Sequence, residues 1–197
     1  KAIRFEGNGY SGEWETEAAA RGLRNIKTTP KALDALISDK TERLFEETGV
    51  YNKREANARH EILLESFFKK LQIEARVIGE LVNNVIIPSA ITYQSKLIEN
   101  VRGLKDLGFP AETYAAQVDI IAKIADHINF IKANVDRLVD ERKKANVIED
   151  PRDRAIDYDE MVYDYFQPIR YHVDKLEQLV DDALWPLPKF RELLFIK

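Results

Sequence analysis

Apolar side chains recur at steps of three and four residues over most of this chain, the period of a helix that buries one face. The longest run opens at Asn52, a helix cap, with Glu55 placed to reach back in a capping box. Leu63, Phe67, Leu71, Ala75, Ile78, Val82 and Val85 follow as its buried stripe. Pro88 removes one backbone hydrogen bond and crowds the turn before it, so a kink is predicted there. The period resumes through Ile91, Gln94, Ile98, Val101 and Leu104, and Gly108-Phe109-Pro110 breaks it. Lys53 to Leu107 thus reads as one kinked helix on the order of 80 Å long, at about 1.5 Å per residue.

A second long helix is predicted from about Ala111 to Ala145, with Val118, Ile121, Ala125, Ile128, Ile131, Val135 and Leu138 on its apolar stripe. Asn146 to Arg154 is polar, holds Pro151 and reads as a loop. A third long helix starts near Ala155. Its seam of Val162, Phe166, Ile169, Val173, Leu176 and Val180 alternates steps of four and three, as in a coiled coil, with a second kink expected at Pro168. An Asp at Val173 or Leu176 is therefore expected to unfold the bundle. Trp185-Pro186-Leu187-Pro188 stops the helix, and Lys189 to Ile196 is expected to pack back as a short tail.

Upstream of the long helices the pattern is shorter. Ala2-Ile3-Arg4-Phe5 reads as a short strand, Gly7-Asn8-Gly9 as a turn, and Glu13 to Arg21 as a helix ending at Gly22. Thr29 is the expected cap of a helix with Pro30 in its first turn and Leu33, Leu36, Ile37, Leu44 and Phe45 on one face, closed by Gly49. The predicted fold is mainly all-α, an antiparallel bundle of three long helices with a short helical N-terminal part. Residues 1–28 are read as a linker with a possible short strand and helix, and 29–197 as the bundle domain.

Composition narrows the classes of function. The chain has 197 residues, 45% hydrophobic and 32% charged, with 8 Gly, 7 Pro and no Cys. That suits a folded helical chain and excludes disulfides, thiolate metal sites and cysteine nucleophiles. The formal net charge of −4 argues against a nucleic-acid partner, which needs clustered excess Lys and Arg. Val77 to Ile91 is the most apolar stretch, and with Glu80, Asn83 and Asn84 in it no membrane span is expected. Lys1 to Phe5 does not resemble a signal peptide, and lack of Cys suits the cytoplasm. The only Met is Met161, so the chain is expected to be part of a longer protein.

Candidate chemistry is sparse. Gly7, Gly9 and Gly12 spell G-x-G-x-x-G, but no convincing second strand follows, so a glycine turn is the better reading than a dinucleotide site. His60-Glu61 begins a zinc motif in which Leu64 stands where the second His is required. His60, His127 and His172 have Asn57, Ile124 and Ile169 three residues before them, so none completes the Glu-x-x-His of a di-iron bundle. Each His is expected at the surface or a boundary. Asp157, Asp159, Glu160 and Asp164, interleaved with Tyr158, Tyr163 and Tyr165, lack calcium-loop spacing. They are expected to favour a helix N-terminus. No catalytic, cofactor-binding or metal residue is assigned within the chain.

Several words are more specific than the pattern. Phe5-Glu6-Gly7-Asn8-Gly9-Tyr10-Ser11-Gly12-Glu13-Trp14 resembles the segment after the catalytic barrel in type III glutamine synthetases. So do Asn25-Ile26-Lys27-Thr28-Thr29-Pro30-Lys31-Ala32-Leu33-Asp34-Ala35-Leu36, Gly49-Val50-Tyr51 and Ala58-Arg59-His60-Glu61-Ile62-Leu63-Leu64-Glu65. The run from Val180 through Trp185-Pro186-Leu187-Pro188 to Phe195 is similar to that family's C-terminus. Thr28 to Tyr51 also resembles the tail of ordinary glutamine synthetases, with Tyr51 where those have Phe.

The resemblance implies a parent enzyme that joins glutamate and ammonia with ATP and Mg2+ or Mn2+, through a γ-glutamyl phosphate. Its catalytic residues would lie upstream, with residues 1–28 as a linker or the end of that upstream catalytic region, leaving this segment inactive alone. It also implies a homo-oligomer whose other subunits are partners, and a role for these helices in assembly or stability. The alternative is an autonomous helical scaffold or regulator-binding module. An independent helical metalloenzyme has almost no support in the residues.

Overall fold

The computed structural model describes residues 4–194, and among them there is no strand. Ala2 and Ile3 of the expected strand lie outside the described residues, as do Phe195 and Ile196 of the tail, and Arg4 and Phe5 are not extended into one. The fold is all-α, as the apolar period predicts. Two compact units divide the chain, Lys1–Phe67 and Phe68–Lys197.

In the first unit, α1 spans Gly12–Ala20 and α2 spans Thr29–Leu33. The single helix expected from Thr29 to Gly49 is broken. A 3-10 turn covers Asp34–Ile37, and α3 starts afresh at Asp39 and runs to Thr48. Ser38 makes the break: its Oγ accepts from the Thr41 N–H, while Thr41 Oγ1 donates to the Ala35 carbonyl at 2.7 Å. A side chain that offers the backbone these bonds competes with helix continuation. The cap of α2 is Thr28, one residue earlier than expected. At the end of α3, Gly49 takes φ 68°, letting its own N–H and that of Val50 reach the carbonyls of Glu46 and Phe45.

The fourth helix, α4, spans Lys53–Leu81, and the boundary between units falls within it. Its start is the predicted capping box, with Asn52 N–H on Glu55 Oε2 at 2.8 Å and Glu55 N–H on Asn52 Oδ1 at 3.0 Å. Within the first unit Ala18, Pro30, Ala56 and Leu64 are buried, and Lys53 pairs with Glu42 at 2.9 Å.

The second unit holds the rest of α4, a π-turn at Val82–Ile86, α5 (Ile87–Asp106), α6 (Ala115–Asn146), α7 (Pro151–Asp157) and α8 (Phe166–Leu179). A 3-10 turn at Ala111–Tyr114 leads into α6, and a four-residue α9 follows at Phe190–Leu193. The Pro88 interruption takes the form of the π-turn, in which Ile87 N–H bonds the Val82 carbonyl five residues back. The wider turn makes room for the ring and absorbs the missing donor. Pro168 is treated alike: a π-turn at Tyr158–Val162 and a 3-10 turn at Tyr163–Tyr165 come before it.

The expected loop from Asn146 to Arg154 is shorter than predicted. Asn146 ends α6, and Pro151 begins α7 under an Asp150 cap that accepts from Asp153 N–H at 2.8 Å. Proline fits the first helical turn, where its lacking N–H costs nothing.

Pairings along the helices give their directions. Gln72 bonds Asn146 at 2.7 Å, and Gln94 Nε2 donates to the Ile121 carbonyl at 2.9 Å, so α4–α5 runs antiparallel to α6. His172 stacks on Phe130, and Tyr158 Oη donates to Asn146 Oδ1 at 2.7 Å, so α8 and its lead-in run antiparallel to α6 as well. Since both run antiparallel to α6, α4 and α8 are parallel to each other, and Phe68 stacks on Tyr158 at 6.0 Å between them.

The core follows the expected stripes with a shifted phase. On α4 the buried series is Leu64, Phe68, Leu71, Ala75, Val82 and, past the π-turn, Ile86 and Ala90. Leu63 is 38% exposed, and Ile91 and Ile98 face solvent. The misread positions belong to apolar doublets, Leu63-Leu64, Phe67-Phe68 and Val85-Ile86, where the pattern alone does not choose between neighbours. On α6, Ile131, Val135 and Leu138 are buried as predicted, Ile124 is buried in place of Ala125, and Val118 is exposed. The third seam holds at Val162, Phe166, Ile169, Leu176 and Val180, while Val173 is only partly covered. After α8, Lys189 Nζ bonds the Glu177 carbonyl at 2.8 Å and pairs with Asp182, tying the start of the tail to the helix end.

Leu176→Asp should unfold the chain or cost on the order of 5 kcal/mol, because its carboxylate would be buried without a partner. Val173→Asp should cost roughly 2–3 kcal/mol, since its carboxylate can reach water. Tyr158→Phe should cost about 1 kcal/mol through its lost hydrogen bond to Asn146. Thermal and urea melts of the three variants check the order.

Candidate functional site

A groove of about 400 Å³ lies between α4 and α8 in the second unit. Its floor is apolar, built from Ile78, Val82, Ile86, Phe166, Ile169 and Val173, and Leu187 also lines it. The helical period explains this lining: Ile78, Val82 and Ile86 stack at steps of four on α4 and its π-turn, as Phe166, Ile169 and Val173 do at four and three on α8. Glu74 and Arg170 stand on the opposite walls, one acid and one base over an apolar floor. Beside the groove on α4, Ile73 is 61% and Val77 46% exposed. The groove and these two side chains make one apolar surface, the kind that marks an interaction site rather than scattered surface hydrophobes. The sequence carries no signal for it, because the two walls are some ninety residues apart in the chain.

Where α6 meets α8, His127 and His172 come together with their Nδ1 atoms 2.9 Å apart. One ring must donate an N–H and the other accept. Phe130 stacks on His172 at 3.7 Å between ring centres, and the Tyr171 ring meets it edge-on. Burial lowers the pKa of both imidazoles, and the neighbouring His127 lowers that of His172 further. Asp126 works against the shift at His127, and Lys175 adds to it. Both residues are half-buried, as expected of boundary positions, but nothing in their spacing shows that they pair.

His60 departs from expectation. It is 6% exposed, with Nε2 3.4 Å from Asp34 Oδ1, so it is a core residue rather than a surface one. Ala56 and Leu64, one turn to either side on α4, are buried with it and draw it inward.

The glycine motif is a turn. Asn8 Oδ1 accepts from Tyr10 N–H at 3.0 Å, and the Asn8 carbonyl accepts from Ser11. Glu13 and Glu15 occupy the first turn of α1, where a phosphate would meet two carboxylates. The acidic residues near Tyr158 do not sit at a helix N-terminus as expected. Asp157 ends α7, Asp159 and Glu160 lie in the π-turn, and Asp164 lies in the 3-10 turn. The α7 N-terminus is formed earlier, by Asp150 and Pro151. Burial raises the pKa of the Asp157 carboxyl, helped by Glu141 and Glu160. The Tyr158 phenol is raised as well, chiefly by burial, and so stays a donor to Asn146.

The comparisons with known proteins place this fold. The model of the glutamine synthetase C-terminal domain matches residues 1–105. The chain belongs to that family. It is similar to a glutamine synthetase of Bacteroides fragilis, 42% identical over 99% of this chain. A type-3 glutamine synthetase of Dictyostelium discoideum is 29% identical over 99% of the chain, and a glutamine synthetase of Butyrivibrio fibrisolvens 28% over the same share. The chain spans about a quarter of the length of these relatives, 27% of the first. Glutamine synthetases use ATP and metal ions in general, and the fit of this domain to them can be tested. Among the described residues no group of three or more His, Cys, Asp or Glu side chains converges to hold a metal ion. No helix among the described residues is long and apolar enough to cross a membrane.

The histidine pair makes a pH prediction for this glutamine synthetase domain. Both imidazoles are harder to protonate in the fold, so the unfolded chain binds protons first. Their contribution to stability is complete above the ordinary imidazole value of 6.5 and is lost as pH falls below it. His172→Phe, which keeps a ring on Phe130, should flatten the fall in melting temperature between about pH 7 and 5. Melts of both proteins across that range measure the difference.

Proposed function

We propose that this chain is the non-catalytic C-terminal helical domain of a type III glutamine synthetase, acting in the assembly or stability of the full-length enzyme. The observation that carries this reading is the 42% identity to a glutamine synthetase over 99% of the chain. The apolar groove and the exposed Ile73 and Val77 support it, because such a surface is stabilised when covered. Residues 1–28 then form a linker or the end of the catalytic region, and residues 29–197 the bundle. The parent enzyme joins glutamate and ammonia with ATP and Mg2+ or Mn2+, works in the cytoplasm and assembles as a homo-oligomer. The other subunits and the rest of the parent chain are the partners of this domain, which is inactive alone.

Glutamine formation by the full-length protein, with and without this segment, tests the reading. Truncation should abolish activity together with a drop in native mass. Activity that survives truncation would assign the domain to regulation or partner binding instead. An intact, folded parent that makes no glutamine would overturn the enzymatic part.

A further inference from the structure

A second concavity of the same unit, a cleft of about 320 Å³, lies between α4 and α6 and is lined by charged and amide side chains. Small residues leave it hollow. Ala75 and Gly79 are two of its lining residues, and a Cβ on Gly79 would already touch Val135 at 3.9 Å. Arg76, Glu80 and Asn83 line it from α4 and its π-turn, and Arg142 lines it from α6. The bond between Gln72 and Asn146 fixes which residues meet across the two antiparallel helices. One turn further along α4 and one turn back along α6, Arg76 and Arg142 come opposite each other.

Two guanidiniums set opposite each other repel, and a carboxylate between them would relieve it. The chain supplies none. Among the described residues, neither Arg76 nor Arg142 forms an ion pair or a hydrogen bond. The acids of α6 beside Arg142 are already engaged, Asp140 with Lys143 at 3.3 Å and Glu141 with Lys144 at 2.8 Å. Glu80, four residues after Arg76, stands in the weaker order for a helical pair and bonds neither arginine. Arg154 adds a third positive charge nearby, its Nε donating to the Ile148 carbonyl at 2.7 Å and its guanidinium lying over the Phe68 ring. Against the burial that raises the Tyr158 phenol, the charges of Arg142, Arg154 and Arg76 all pull the other way, so the three gather about one buried oxygen. In a chain of net charge −4 this is a local excess of the opposite sign.

We propose that the cleft binds a small anion, with a carboxylate or phosphoryl group held between Arg76 and Arg142. Planar guanidiniums offer paired N–H donors that match either group. Asn83 Nδ2 is spent on the Gly79 carbonyl at 2.9 Å, so Asn83 Oδ1 and the Glu80 carboxylate are left as acceptors for the rest of the ligand. The ligand class is therefore an oxyanion at one end with hydroxyl or amino donors at the other. Asn83 belongs to the π-turn at Val82–Ile86, so the irregular backbone before Pro88 also shapes this site. The inference does not depend on the assembly reading.

The test labels the full-length protein with phenylglyoxal, which modifies arginine, and reads each arginine by peptide mass spectrometry in sodium phosphate, acetate or chloride of equal ionic strength. Arg76 and Arg142 should label about fivefold more slowly in saturating phosphate or acetate than in chloride. Arg102 and Arg137, exposed and outside the cleft, should label alike in all three salts. Reading residue by residue keeps anions bound elsewhere in the protein out of the result. Protection by phosphate alone assigns a phosphoryl group, and protection by acetate alone a carboxylate. Arg76→Gln should remove the protection of Arg142, and Arg142→Gln that of Arg76, in variants whose thermal melts show that they fold. Equal labelling of Arg76 and Arg142 in the three salts would overturn the site, as would equal protection of Arg102 and Arg137. Protection of one arginine that survives loss of the other would overturn it too. So would a failure of both to label in chloride, because the cleft would then be closed by the rest of the protein.

Discussion

A proline in the interior of a helix leaves one carbonyl without its donor and presses its ring on the preceding turn. One such proline stands in α8 and another in α5, just past the π-turn that continues α4, and the second unit is arranged around how each is accommodated. At Pro88 the chain widens into the π-turn at Val82–Ile86, and before Pro168 it widens at Tyr158–Val162 and tightens again at Tyr163–Tyr165. Val82, Ile86, Tyr158 and Val162, at the ends of these turns, are all buried. The irregular backbone is therefore held by packing on its apolar residues rather than left as a loose joint.

The two accommodations are not level. With Phe68 against Tyr158 as the reference, Pro88 lies about ten residues further along its helix than Pro168 does, on the order of 15 Å. The irregular turns thus fall near the two ends of the groove, and the stretch between them is regular helix on both sides. A uniform floor of stacked apolar residues follows from that spacing. Polar ties fix the same register: Gln72 and Tyr158 both donate to the one Asn146 oxygen, which joins the middle of α4, the end of α6 and the start of the π-turn before α8 at a single atom.

The sequence pattern disclosed the all-α class, the breaks at Gly49 and Gly108, the capping box at Asn52 and the seam from Val162 to Val180, because each depends on local chemistry or on an unambiguous period. It misplaced Leu63, Phe67 and Val85, where two apolar residues stand side by side and only tertiary packing chooses. It extended a helix through Ser38 because propensity does not register a side chain that competes for backbone donors. It took Pro151 for a loop residue, although proline also starts helices. The groove and the histidine pair could not be read at all, since each joins residues that only the antiparallel turn-back brings together. The family resemblance, in contrast, rests on words of ten or so residues, and those do not depend on the fold being known.

The shared hydrogen between His127 and His172 has one more consequence. It lies on the α6–α8 seam between two nitrogens, with the Phe130 ring against one imidazole. A proton held there is replaced by a solvent proton only after the bond between the two rings breaks. Its resonance would therefore act as a built-in clock for the breaking of this one contact, separate from the unfolding of the chain as a whole.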